Sequence, residues 1–378
     1  MTQADLAAPD YTKSFISQLE GGFADPSLDT LRFLSHRLRM SLSTVAGDND
    51  DQRLAGMEGL LRWAREASAR GEEALARRVL GVASEMASAA GWDEHRAEAA
   101  LLLAEIEIRS GALDRADPLI EDAGVLAATV GPRMRIRKEL VAGLLMLRRG
   151  NTREAAAGFQ RALGLSRRSS RHPDLTVRAL FGLAATAVQA GDLRHARRRL
   201  QSAVTLSERQ QLEALQAEAR VRLGTVLSID GAYAEAITQL EVSARIFAQQ
   251  VNGRKRLETL LALAAAALGA DNPALAIRAV DDAAAMADAS ATAAAPRIAA
   301  LRGRALLAQD RQSEAAPILA DAVTHLTGTS AHQELAEAAQ ALGNYHQARG
   351  EHDTAARYRA VAAEAASLEH RRVDDLDG

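Results

Sequence analysis

Charged residues recur in this chain at near-constant intervals. Glu58, Glu98, Arg137, Arg178, Glu218, Glu258, Arg297 and Glu337 follow one another every 39–41 residues. Seven residues beyond the last two stand Arg304 and Asn344, and Arg148 and Arg149 come shortly after Arg137. An arginine fork matches a carboxylate in two parallel hydrogen bonds, and an asparagine amide both donates to and accepts from a peptide backbone. Arg137, Arg178, Arg304 and Asn344 are therefore the candidate residues for holding a peptide or protein ligand. A plain hydrated wall is the competing reading of the same row.

Other chemistry finds little footing. There is no cysteine, so disulfides, thiolate metal sites and cysteine nucleophiles are excluded. The nine histidines show no His-x-x-x-His or Glu-x-x-His spacing, and no glycine-rich phosphate loop follows a strand-like run. Gly21-Gly22 reads as a turn, and Asp281-Asp282 as solvated carboxylates. No catalytic residue, metal or cofactor is expected, and the chain does not read as an enzyme.

The elements that carry these residues follow from composition and period. Apolar residues make up 48% of the chain but aromatics only 3%, which suits closely packed Ala/Leu helices and argues against a β core. The longest apolar runs, such as Leu260 to Leu268, fall short of the roughly 18–20 residues of a membrane span. Met1 to Asp10 has neither a basic start nor an apolar stretch, so a cytoplasmic protein is expected. Lys13, Lys138 and Lys255 are the lysines; all other basic residues are arginine. Between Pro132 and Leu200, 16 basic residues face 4 acidic ones. Arginine-rich stretches such as Arg197–Arg199 read as a solvated outer face.

Turn-favouring residues recur at Gly71, Gly111, Gly150, Gly191, Gly231, Asp271, Asp310 and Gly350. Five residues after each comes alanine, from Ala76 to Ala355, and seven before each comes glycine or alanine, from Ala64 to Gly343. A third small residue follows at Ala83, Ala123, Ala162, Ala203, Ser243, Ala283, Ala322 and Ala362. Glycine closes a helix in the left-handed region, and small residues on both sides let two antiparallel helices approach. Large residues one layer away, such as Leu80, Phe159, Leu200 and Leu240, fill the space between repeats. Each helix should run about 17–18 residues, at 1.5 Å per residue.

This pattern resembles the tetratricopeptide (TPR) family, with a period near 40 residues in place of the family's 34. The resemblance implies an all-α, right-handed TPR-type α-solenoid of eight helical hairpins over residues 51–368. A polar tail at 369–378 follows. The first helix of each hairpin would line a concave ligand groove, and Arg359 would face solvent as a cap.

The first fifty residues break the period. Thr12-Lys-Ser-Phe-Ile-Ser-Gln-Leu-Glu-Gly-Gly22 and Asp25-Pro-Ser-Leu-Asp-Thr-Leu-Arg-Phe-Leu34 resemble the Xre/phage-repressor helix-turn-helix family. Gln3 to Ala8 matches that family's second helix, Thr12 to Glu20 its recognition helix, Pro26 to Leu38 its fourth and Met40 to Ala46 its fifth. The family's first helix has no counterpart in the sequence. Thr12 reads as an N-cap, and Leu6, Phe15, Ile16, Leu19, Leu28, Leu31, Leu34 and Leu42 as one small core. The resemblance implies a partial helix-turn-helix over residues 1–48, with Thr12, Lys13, Ser14, Ser17 and Gln18 facing DNA and Gln3 at the phosphate backbone. Together the two segments resemble RRNPP-type and Xre–TPR transcription regulators. That implies a homodimer binding operator DNA and a peptide. A TPR adaptor without DNA binding is the alternative, and a phosphatase-like TPR protein a third reading.

Overall fold

The structure, a computed structural model, describes residues 11–20, 30–31, 33–35, 50–169, 171–250, 252–286, 294–329 and 331–374. The chain divides into two compact units, Met1–Val141 and Ala142–Gly378. Among the described residues all regular structure is helical. The first unit holds α1 (Lys13–Glu20), α2 (Asp50–Arg70), α3 (Glu73–Ala90), α4 (Asp93–Arg109), α5 (Leu113–Val130) and the first part of α6 (Pro132–Arg148). The second holds the end of α6, then α7 (Thr152–Ser169), α8 (Pro173–Gln189), α9 (Leu193–Arg209), α10 (Glu213–Ile229) and α11 (Tyr233–Gln249). It continues with α12 (Gly253–Gly269), α13 (Pro273–Met286), α14 (Ala295–Ala308), α15 (Gln312–Leu326), α16 (His332–Ala348) and α17 (His352–Asp374).

The even-numbered helices from α2 onward are the first helices of the expected hairpins, and the odd-numbered ones the second. All eight expected turn residues adopt positive φ, between 55° and 83°. Six are glycines, which reach this region without strain; Asp271 and Asp310 do so as a short polar side chain can. The residue after each turn donates its N–H five residues back, as Glu72 does to Ala67 O at 2.9 Å and Asp192 to Ala187 O at 2.8 Å. This bond satisfies a carbonyl that the end of the first helix would otherwise leave unpaired.

The small residues meet at the helix crossings. Ala76, Ala116, Ala155, Ala196, Ala236, Ala276, Ala315 and Ala355 are all fully buried. In the first unit Met57, Leu61, Ala64, Leu80 and Ala83 form a core flanked by Trp63 and Trp92. In the second, glycine at some of the crossings makes room for a large partner sixteen residues on. A Cβ added at Gly224 would lie 2.7 Å from Leu240, and one at Gly303 would lie 2.5 Å from Leu319. First helices of successive repeats also touch one another, α8 with α10, α10 with α12, α12 with α14 and α14 with α16. Those contacts line up the rows of charge. α17 runs past Leu368 to Asp374, into the segment expected as a polar tail.

Candidate ligand surface and N-terminal helix

In the second unit the first helices α8, α10, α12, α14 and α16 each pack on a hairpin mate and on a neighbouring first helix. The periodic charges range from exposed at Glu58, Arg178 and Glu258, through half-buried at Glu98, Glu218, Arg297 and Glu337, to buried at Arg137. In the first unit Arg137 is 9% exposed. Its guanidinium donates to Glu98 at 2.6 Å and to Glu105 at 3.4 Å. Glu98 also receives Arg65. A ligand carboxylate at Arg137 would have to displace these carboxylates.

The second unit continues with the same alternation. Glu218 on α10 accepts from Arg222 at 2.8 Å and from Lys255 of α12 at 3.1 Å. Arg222 lies over the Phe181 ring of α8, 4.8 Å from its centroid, a geometry that adds cation–π attraction. Arg297 on α14 bridges Glu258 of α12 at 2.9 Å and Glu334 of α16 at 2.6 Å. Arg304 donates to Glu337. Asn344 is exposed and accepts from Gln340 one turn back at 3.0 Å. Arg178 is exposed and, among the described residues, makes no ion pair. It is the candidate arginine that a ligand can reach without breaking an existing pair.

The periodic row was legible, and two pairs, Glu98 with Arg137 and Glu258 with Arg297, lie within it, but its other partners were not. Lys255 and Glu334 sit three residues before the aligned positions of their repeats, and Arg222 sits four after. The available signal was charge complementarity between an aligned residue and the next repeat's preceding turn, since positions three or four apart share a helix face.

The pair charges hold Glu218 in its ionised form. Burial alone would raise its pKa, but Arg222 and Lys255 overcome that and lower it to about 2. An unfolded glutamate titrates near 4.3. The stabilisation is therefore fully present above about pH 4.3 and is lost as pH falls through the folded value, on the order of 2 kcal/mol. Urea midpoints of the wild type and Glu218→Gln should differ at pH 6, and the gap should close toward pH 2.5. A gap that stays constant would show that Glu218 is not held this way.

At the N-terminus, Thr12 caps α1 by accepting from the Phe15 N–H at 3.2 Å, as its position before the helix suggested. Thr12, Lys13, Ser14 and Ser17 are exposed, while Ile16 and Leu34 are buried. Tyr11 and Phe33, absent from the expected core, complete it. Tyr11 stacks on Phe15 with centroids 5.3 Å apart, meets Phe33 edge-on at 5.0 Å, and accepts from the Thr30 hydroxyl at 3.1 Å. Gln3, the Gln18 side chain, Gln3 to Ala8 and Met40 to Ala46 lie outside the described residues, as does most of Pro26 to Leu38.

Among the described residues no group of three or more His, Cys, Asp or Glu is placed to hold a metal, and no helix is long and apolar enough to cross a membrane. No protein-family model matches the chain, and no curated protein matches it. Solved structures do. The Rap conjugation gene regulator of plasmid pLS20, in complex with the Phr* peptide, aligns with 96% of this chain and 91% of its own at 12% identity, with a TM-score of 0.56. Aspartyl phosphate phosphatase F from Bacillus subtilis aligns over 97% and 91% at 11% identity, with a TM-score of 0.55. A signal-transduction ATPase from Pyrococcus horikoshii with a tetratricopeptide repeat sensor aligns over 79% of this chain and 44% of its own at 14% identity, with a TM-score of 0.55. The fold is a TPR-type α-solenoid. At these identities the likeness is one of fold, and the role of the TPR solenoid rests on its own residues.

Proposed function

We propose that this chain is a peptide-responsive transcription regulator of the cytoplasm, acting as a homodimer and without catalysis of its own. Residues 51–368 sense the ligand, and residues 1–48 form a partial helix-turn-helix that meets operator DNA. The observation that carries the sensing half is Arg178, exposed and without an ion pair among the described residues, and a gene regulator of similar fold solved with a peptide supports it. Arg178 supplies the fork for a peptide carboxylate, with Arg304 and Asn344 further along the second unit. Arg137 joins the ligand only by exchanging Glu98 or Glu105 for it.

The DNA half is supported by the exposed row Thr12, Lys13, Ser14 and Ser17 on a capped helix whose opposite side is buried. Short hydroxyls and the Gln18 amide suit base edges, and Lys13 and Gln3 suit phosphate. In a dimer, two such helices would read half-sites about one helical turn apart. Ser17→Ala with Gln18→Ala should reduce discrimination between the protein's own promoter and random DNA more than it reduces total binding. Equal loss on both DNAs, or no preference for the promoter in the wild type, removes the helix-turn-helix assignment.

A further inference from the structure

The second unit carries a surface that neither the peptide nor the N-terminal helix accounts for. From Thr152 to Arg209 there are eleven arginines, no lysine and four carboxylates, Glu154, Asp174, Asp192 and Glu208. Two of those carboxylates are committed: Asp192 caps α9 by accepting from the His195 N–H at 2.9 Å, and Glu208 pairs with Arg220. Among the described residues Arg153 and Arg168 on α7, and Arg194, Arg198 and Arg209 on α9, are exposed and make no ion pair. The two helices flank α8, each packing against it. Along α9 the exposed residues form one stripe. Arg198, Gln201, Ser202, Thr205, Leu206 and Arg209 line a shallow open depression of about 490 Å³.

Like charge on two helices that flank a common neighbour costs self-repulsion, which Asp192 near Arg198 relieves only in part, and an anionic partner would relieve it further. The face also lacks what a protein partner needs. A protein interface is anchored by buried apolar or aromatic side chains. The exposed large hydrophobics among the described residues are Val125, Ile229 and Leu368, none of them on α7 or α9. A nucleic-acid backbone requires no such anchor. Its phosphates are met by arginine forks and amides, which Arg198, Arg209 and Gln201 supply along α9, while the Ser202 and Thr205 hydroxyls donate back to the Arg198 and Gln201 carbonyls. Arg198 and Arg209 stand eleven residues apart, or about 16 Å along a helix, a span that crosses several phosphates of one strand.

We propose that the exposed side of α7 and α9 binds the phosphate backbone of nucleic acid without regard to sequence. The contact is independent of residues 1–48 and of the peptide surface.

The test uses the full-length protein and a random-sequence 30-base-pair duplex, with binding read by fluorescence anisotropy between 50 and 200 mM salt. If about four phosphates are contacted, affinity should fall roughly 100-fold across that range. Arg198→Glu with Arg209→Glu should weaken binding at least about 10-fold and reduce the log–log salt slope by about 2. Arg278→Glu with Arg357→Glu makes the same change in net charge on exposed residues elsewhere and should leave binding within about twofold. The loss caused by Arg198→Glu with Arg209→Glu should be the same size in a background that also carries Ser17→Ala and Gln18→Ala, which separates this contact from the helix-turn-helix. Equal losses in the two arginine pairs would reduce the effect to net charge and overturn the proposal. So would the absence of binding at 50 mM salt, or tighter binding of polyglutamate than of the duplex.

Discussion

Arg137→Glu is expected to cost about 5 kcal/mol, the upper end of what breaking a buried ion pair does. The substitution sets a third carboxylate beside Glu98 and Glu105, in a place where Arg137 and Glu98 are each about nine-tenths covered (side chains 11% and 12% exposed). Arg137→Met should cost less, about 3 kcal/mol, because Arg65 still meets Glu98. Adding Glu98→Leu to Arg137→Met should return most of that loss, since a buried pair replaced by apolar groups is often neutral. Arg178→Met should cost under about 0.5 kcal/mol, as exposed residues outside such networks do. Denaturant midpoints decide. If the two arginines cost the same, the first-helix charges are not a pairing ladder and the distinction between them fails. The same contrast makes Arg178, and not Arg137, the residue whose reversal probes ligand binding without disturbing the fold.

Phe159→Ala should be the second large effect, at about 3–5 kcal/mol for a buried aromatic removed from a packed core. The ring is 3% exposed and fills a gap that two glycines leave open. A Cβ at Gly143 would lie 2.9 Å from it, and one at Gly182 would lie 2.3 Å from it. Gly182→Ala alone should therefore destabilise by about 1–3 kcal/mol through overpacking. With Phe159→Ala the same change meets no ring, and the better helix propensity of alanine should stabilise by about 0.8–1 kcal/mol. The two substitutions are thus predicted to couple by about 2 kcal/mol or more, read from a double-mutant cycle of urea unfolding. Additive effects would mean the ring is not held between those helices.

These two cases mark what the sequence disclosed and what it hid. The period exposed the turns, the small residues at the crossings and the length of the helices, because each depends on a residue type at a fixed offset within one repeat. Gly143 against Phe159 was readable in that way. Gly182 was not, because its contact comes from the preceding hairpin, and no offset within a repeat reveals it. The charge stripe was hidden for the same reason. Aligned in register, Glu218 and Arg297 look like groups waiting for a ligand. Arg297 meets Glu258 of the row itself, but Lys255 and Glu334 lie one turn off the aligned row in the next repeat, so these pairings depend on how neighbouring first helices are staggered. At the N-terminus the apolar spacing gave Phe15, Ile16, Leu19 and Leu34, while Tyr11 entered the cluster through ring stacking and a hydroxyl hydrogen bond, which a count of aliphatic positions does not register.

On the proposed reading, the exposed residues of the first helices of the second unit take a peptide. Hydrogen–deuterium exchange of the full-length protein tests it most directly, with and without the small-peptide fraction extracted from the cells that make it. Backbone protection reports where binding suppresses local opening. Added protection is predicted in α8, α10 and α12, little change in α7 and α9, and loss of the effect in Arg178→Glu. Protection confined to the second helices of the hairpins, or no protection anywhere, would rule out peptide binding on the first helices.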